Sequence, residues 1–141
     1  MEKKIVVTGV CIFFLTVAFS GCQEKQAAVG QIPENILFES NFLKIANASF
    51  TLEKDKTGKI TQAELIVYFK NILDKPINNL TLAIDFCDKD NAILYTHPYH
   101  YTSAFPAGYT ESTPNRFVYS ETNAAFVDHV NIRITAYNIT K

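Results

Sequence analysis

From Leu43 onward, short runs of β-forming residues alternate with turn-forming residues roughly every ten positions, a rhythm that suits a sandwich of short strands. The first run passes through Ile45 and Ala48 to Leu52. Asp55-Lys56-Thr57-Gly58-Lys59 then offers turn chemistry that returns the chain into Ile60 to Asn71, so a hairpin is expected. Successive side chains of a strand point to opposite faces, which puts Leu65, Val67 and Phe69 inward and Glu64, Ile66, Tyr68 and Lys70 outward. Asp74-Lys75-Pro76 ends that run. Leu80, Leu82, Ile84 and Phe86 follow, alternating with Thr81, Ala83 and Asp85 in the cleanest period of two in the chain. Asp88-Lys89-Asp90-Asn91 turns the chain again, into Ile93-Leu94-Tyr95. Pro98, Pro106, Gly108 and Pro114 punctuate a looser stretch of loops and edge strands that reaches Phe117-Val118-Tyr119. A last strand is expected with Val130, Ile132, Ile134 and Ala136 inward and Asn131, Arg133, Thr135 and Tyr137 outward.

Composition agrees with this reading. The 141 residues, 48% hydrophobic and 19% charged, have the size of one globular domain plus a short extra segment. Phe and Tyr are plentiful and Trp is absent, a mix that suits pleated, half-buried surfaces. The net charge of −1 arises from acids and bases spread along the chain, which leaves neither a basic footprint for nucleic acid nor an acidic tail. No internal repeat, low-complexity tract or amphipathic helix of useful length interrupts the pattern.

The N-terminus is of another kind. Glu2-Lys3-Lys4 is followed by an uncharged, apolar stretch from Ile5 to Gly21, and polarity returns at Gln23-Glu24-Lys25. A charged start followed by an apolar run describes an export signal. The run closes on Ala18-Phe19-Ser20-Gly21-Cys22, with two small residues before a cysteine. This resembles the lipobox of prokaryotic membrane lipoproteins. The resemblance implies that the segment is cleaved, that Cys22 becomes the new N-terminus, and that its thiol carries the lipid, with acyl chains such as palmitate. Phe19 stands where that family usually has an aliphatic residue. The alternative is an uncleaved transmembrane anchor, since about 17 apolar residues lie at the lower edge of what spans a bilayer. Both place the chain from Gln23 onward outside the cytoplasm. With Cys11 in the signal and Cys22 acylated, Cys87 is the one cysteine left in the mature chain, so no intrachain disulfide is expected there. Cys87 is expected to pack as a small apolar side chain.

Within the domain, Tyr68-Phe69-Lys70-Asn71-Ile72-Leu73-Asp74-Lys75-Pro76-Ile77, a following strand and Asp88-Lys89-Asp90 form a scheme of strand, Asn, Lys-Pro loop, strand and Asp-rich turn. A later Pro/Gly loop, Phe105-Pro106-Ala107-Gly108, completes it. The scheme resembles the small immunoglobulin-like domains of the FxLYD type found in prokaryotic surface proteins. The aromatic, leucine and tyrosine positions of the naming motif hold Ile84, Phe86 and Cys87 here, and only its aspartate stands, as Asp88. The likeness covers about Ile60 to Ile139 and brings no catalytic residues with it.

Three groups of residues are candidates for a site. Glu53, Asp55, Thr57 and Glu64 fall at positions of an EF-hand loop that require oxygen ligands, with Gly58 at the turn, so calcium binding is the alternative to a plain hairpin. The segment after the loop, Leu65-Ile66-Val67-Tyr68-Phe69, is β-branched and aromatic and makes poor helix, which favours the hairpin. His97, His100 and His129 could suggest a transition metal, but Pro98 keeps the first two off one helical face and no cysteine or acid lies at ligand spacing. Tyr99, Tyr101 and Tyr109, in an aromatic stretch with Phe105, form the candidate contact surface, since tyrosine suits a patch that stays partly wet; aromatic packing under a long loop is the competing reading. No Gly-x-Ser-x-Gly, His-Glu-x-x-His or phosphate-binding glycine loop is present. Asn47, Asn79 and Asn138 head Asn-x-Ser/Thr sequences, which matter only where exported proteins are glycosylated.

The sequence therefore predicts a lipoprotein signal peptide over 1–21, a lipidated tether over 22–40, and an all-β, immunoglobulin-like sandwich of about seven strands over 41–141. The expected role is that of a non-catalytic binding or structural module of the cell envelope. It would need no cofactor or metal, bind no nucleic acid, sit lipid-anchored on the extracytoplasmic face of the membrane, and meet an envelope protein partner.

Overall fold

The structure, a computed structural model, describes residues 31–139. The export segment, Cys11 and Cys22 lie outside them. Seven strands form two facing sheets: β1 (Ile36–Phe38), β2 (Leu43–Lys54), β3 (Ile60–Asn71), β4 (Ile77–Cys87), β5 (Ile93–His100), β6 (Asn115–Tyr119) and β7 (His129–Ile139). The strand orders are β1-β7-β4-β5 in one sheet and β2-β3-β6 in the other. A single 3-10 turn, Thr122–Phe126, carries the chain from β6 across to β7. The result is an all-β sandwich of seven strands, four in one sheet and three in the other. Among the described residues no helix is long and apolar enough to cross a membrane.

The core follows from the period of two. Ala63, Leu65, Val67 and Phe69 of β3 face Leu80, Leu82, Ile84 and Phe86 of β4, all without exposed surface, and Val130 and Ile132 of β7 join them. Each large side chain buried in this way contributes about 1.5–3 kcal/mol. The outward row of β3, with Glu64, Ile66, Tyr68 and Lys70, is partly or fully exposed, as its alternation predicts.

Three boundaries differ from the sequence reading. The stretch assigned to a tether through Ser40 contains β1, whose Ile36 is buried and which pairs parallel with Val130, Asn131 and Ile132 of β7. Three residues whose partners lie at the far end of the chain carry no local period, so the domain starts earlier than position 41. The strand expected at Ile93-Leu94-Tyr95 continues to His100, with Pro98 accommodated because β5 is an edge. In β7 the alternation breaks: Ile134 pairs with Leu82 but Ala136 with Thr81, so one residue is extra. Ala136 is therefore exposed rather than inward, and the ring of Tyr137 lies 4.4 Å from that of buried Phe42.

The two ends of the sandwich are distinct. The hairpin turns β2–β3 and β4–β5 lie at one end, and β1 begins there, since the Asn35 carbonyl accepts from the Val130 N–H and Glu34 and Asn35 line a depression with Lys89 and Asn91. The β3–β4 turn and the long β5–β6 connection lie at the other end, where Ile77 and Phe105 exchange backbone hydrogen bonds.

Candidate functional site

Strands β5 and β6 are edges of opposite sheets and are not hydrogen-bonded to each other, so side chains must close the gap between them. Aromatic rings do so. Tyr95 stacks on Tyr119 with centroids 4.9 Å apart, His97 and Tyr99 meet Phe117 edge-on at 5.2 and 5.3 Å, and Tyr99 meets Tyr101 at 5.0 Å. The series runs on through Phe105, 5.3 Å from Tyr101, to Tyr109, 5.7 Å from Phe105. The three tyrosines of the candidate surface thus belong to one continuous line of rings. They differ in exposure: Tyr99 and Tyr101 are half-buried, whereas Tyr109 is 42% exposed, in the part of the β5–β6 connection where its carbonyl accepts the Asn71 N–H.

The line is fastened by Glu111, a residue that no sequence signal singles out. Its Oε2 accepts the Phe69 N–H at 2.6 Å and the Asn115 side-chain amide at 2.8 Å, and its Oε1 accepts the Tyr101 hydroxyl at 2.7 Å. The Glu111 N–H in turn donates to the Phe69 carbonyl. One carboxylate thereby continues the β3 ladder where β6 has ended. Burial, and then the neighbouring Glu111 carboxylate, push the Tyr101 hydroxyl far above its ordinary pKa, so it is a fixed donor. Tyr99 is raised for the same two reasons.

Beside this network Asn71 is fully buried. Its side-chain amide donates to the carbonyls of Lys75, Phe105 and Pro106, and its Oδ1 accepts the Leu73 N–H. One side chain therefore fixes the β3–β4 turn and the start of the tyrosine-bearing loop together. Tyr101, Ser103, Ala104, Phe105, Pro106, Tyr109, Glu111 and Thr113 line a depression of about 310 Å³ at this end.

The calcium-loop residues are placed apart. Asp55 turns into its own loop, where one carboxylate oxygen accepts the N–H groups of Thr57 and Lys59 at 2.8 and 3.1 Å and the Thr57 hydroxyl at 2.5 Å. These bonds, led by the Thr57 hydroxyl, hold its carboxyl below the usual range. Gly58 supplies the left-handed φ of 85° that the turn needs. The segment that follows is strand β3 rather than the helix of an EF-hand, and Glu64, opposite Thr51 in the ladder, pairs with Arg116 of β6. The four residues do not converge.

The histidines are separated as well. His97 lies among the rings between the sheets, His100 faces outward with Nδ1 2.9 Å from the Thr81 hydroxyl, and His129 lies 3.1 Å from Asp128 at the hairpin end. No group of three metal-ligating side chains comes together among the described residues. Cys87 is buried on β4, and burial first, then Asp85 and Asp88, push its thiol up; a protonated, enclosed thiol is a poor nucleophile.

The outer face of β4 holds a second unexpected residue, Asp85, which is fully buried. Burial raises its pKa, but hydrogen bonds from Arg133 and from the Thr96 hydroxyl at 2.6 Å outweigh burial and hold the carboxyl below its ordinary value. The period of two had marked Asp85 as outward. Its neighbours β5 and β7 supply the covering that alternation cannot show. No protein family, curated protein or solved structure compared with this chain matches it.

Proposed function

We propose that this protein is an exported lipoprotein, held at the extracytoplasmic face of a membrane through lipid on Cys22, and that its sandwich is a non-catalytic binding or structural module of the cell envelope. The observation that carries the reading is the uncharged segment from Ile5 to Gly21 ending on Ser20-Gly21-Cys22. The geometry of the domain fits such a role. Strand β1 begins at the hairpin end, and the Tyr109 loop lies at the other, the length of β4 away, roughly 30 Å at the rise of an extended strand. A domain tethered by its N-terminus would present that loop away from the membrane. Exposed Tyr109 with half-buried Tyr101 and Tyr99 behind it gives the loop an aromatic anchor of the kind that protein partners use. The resemblance to FxLYD-type surface domains points the same way.

The test is the mass of the N-terminal peptide of the chain purified from bacterial membranes. A peptide beginning at Cys22 and carrying a thioether lipid is expected, and Cys22→Ala should remove the lipid and block maturation. A peptide that still begins at the first residues, without lipid, would instead establish an uncleaved anchor. For the contact surface, Tyr109→Ala should abolish crosslinking of the membrane-bound chain to one stoichiometric envelope protein. If the same partner is captured by the variant, the contact lies elsewhere on the domain.

A further inference from the structure

Four strands stand at sheet edges, and three of them are blunted in the ways that keep edges from pairing with other chains. Strand β1 has three residues, β6 has five, and β5 carries Pro98. Strand β2 is different. It is twelve residues long, contains no proline, and is hydrogen-bonded on one side only among the described residues. The uncharged stretch from Ile45 to Leu52 lies between Lys44 and Glu53.

The backbone of β2 has a defined polarity. The Phe69 and Asn71 N–H groups of β3 point to the β6 side, and the Ile72 N–H donates to the Phe42 carbonyl, so the even-numbered residues of β3 serve β2. Asn47, Ser49, Thr51 and Glu53 stand opposite even-numbered residues, from Tyr68 to Gln62, and spend their backbone groups on β3. Ala48, Phe50 and Leu52 therefore turn theirs to the open edge. Their side chains, with Ile45, face the core yet are only half-buried, in contrast to the completely enclosed row of β3 beside them.

We infer that β2 pairs antiparallel with β2 of a second copy of this chain about a two-fold axis at Ser49, joining two three-stranded sheets into one of six. In that register Ala48 meets the second copy's Phe50, Asn47 its Thr51 and, beyond the bulge that follows Ile45, Ile45 meets Leu52 and Lys44 meets Glu53. The half-buried apolar row is thereby continued across the edge, and opposite charges meet at both ends of the pairing. Moving the axis to Thr51 places Lys54 opposite Ala48 and forfeits both Lys–Glu pairs. Antiparallel pairing sets the two copies' hairpin ends, where β1 begins, in opposite directions, so copies anchored near that end would pair between facing membranes. The test therefore uses full-length chain released into detergent.

Across a two-fold axis through a non-hydrogen-bonded position, Ser49→Cys places two thiols with Cα atoms about 4.5 Å apart, within disulfide reach. Oxidation should give a covalent dimer well above the background set by Cys11, Cys22 and Cys87 in the unaltered chain. Asn47→Cys alone or Thr51→Cys alone should not, whereas a mixture of the two should. Ala48→Pro removes an N–H from the open edge and none from the β3 ladder, so it should abolish the Ser49→Cys dimer while far-UV circular dichroism is retained. If that variant unfolds, charge exchange decides: Lys44→Glu should weaken crosslinking and Lys44→Glu with Glu53→Lys should restore it. Crosslinking of Ser49→Cys no greater than background would overturn the proposal, whether the edge is covered by the chain's own N-terminal segment, by a different protein, or by neither.

Discussion

At the hairpin end of the sandwich each turn is held by an aspartate whose carboxylate reaches four residues along its own chain, whereas at the opposite end Asn71 and Glu111 tie segments 34 and 42 residues apart. The two hairpin turns are near copies. Asp55 and Asp88 each accept N–H groups two and four residues on, each donates its own N–H to the carbonyl four residues on, and the fourth residue, Gly58 or Asn91, takes a positive φ. Such turns are complete in themselves. The loop end has no comparable local closure, and its form depends on side chains from β3 and from the β5–β6 connection arriving together. The end that carries the candidate contact surface is therefore the end whose shape depends most on the rest of the domain being folded.

Removing Asn71 is expected to have the largest effect. Asn71→Ala takes the side-chain partner from the Lys75 carbonyl and the Leu73 N–H and leaves the Phe105 and Pro106 carbonyls with one donor each, from Ile77 and Tyr109, at a cost of about 3 kcal/mol. Urea unfolding should show a lower midpoint at unchanged slope. A loss near 1 kcal/mol would mean that water replaces the amide and that the loop end is less dependent on it than its geometry implies.

Glu111 comes next, and two substitutions separate its charge from its shape. Glu111→Ala orphans the Phe69 N–H and the Tyr101 hydroxyl and should cost about 2 kcal/mol. Glu111→Gln should cost less than half of that. Its amide oxygen can accept from Phe69 and Asn115, and its NH2 can donate to the Tyr101 oxygen once that hydroxyl turns. Tyr101→Phe in the Gln background should then cost about 1 kcal/mol more, since it removes the acceptor of that NH2. No further loss would show that the amide does not bond the ring, so that the carboxylate charge rather than the hydrogen-bond pattern joins residue 111 to the ring line.

The same contrast explains what could be read from the sequence. The turn at Asp55 was legible because its partners sit within the five residues themselves, and the inward rows of β3 and β4 because alternation alone sorts them. Strand β1 was not legible, since Ile36-Leu37-Phe38 acquires its meaning from Val130 to Ile132, at the other end of the chain. The extra residue in β7, which exposes Ala136, leaves no mark in a row of β-formers. In the candidate surface, tyrosines could be picked out by type. Their unequal burial could not, because it depends on Phe117 and Phe105 arriving from other segments. Glu111 looks like any loop carboxylate until the Phe69 N–H is placed against it.

The smallest expected effect tests whether the two hairpin turns are as self-contained as their matching bonds imply. A methyl group added at Gly58 meets no atom within 4 Å, so Gly58→Ala carries only the backbone cost of a left-handed φ, about 1 kcal/mol. Asn91 occupies the corresponding position of the other turn at φ 64°, and asparagine tolerates that region better than alanine. Gly58→Asn should therefore cost about half as much as Gly58→Ala or less, and Asn91→Gly should be close to neutral. Thermal unfolding of the three variants gives the order directly. If Gly58→Asn proves as costly as Gly58→Ala, the two turns differ in some constraint beyond the shared bonds. Strand β2, which enters the first of them, would be the place to look for it, because β2 leaves one edge open whereas β4 is paired on both sides.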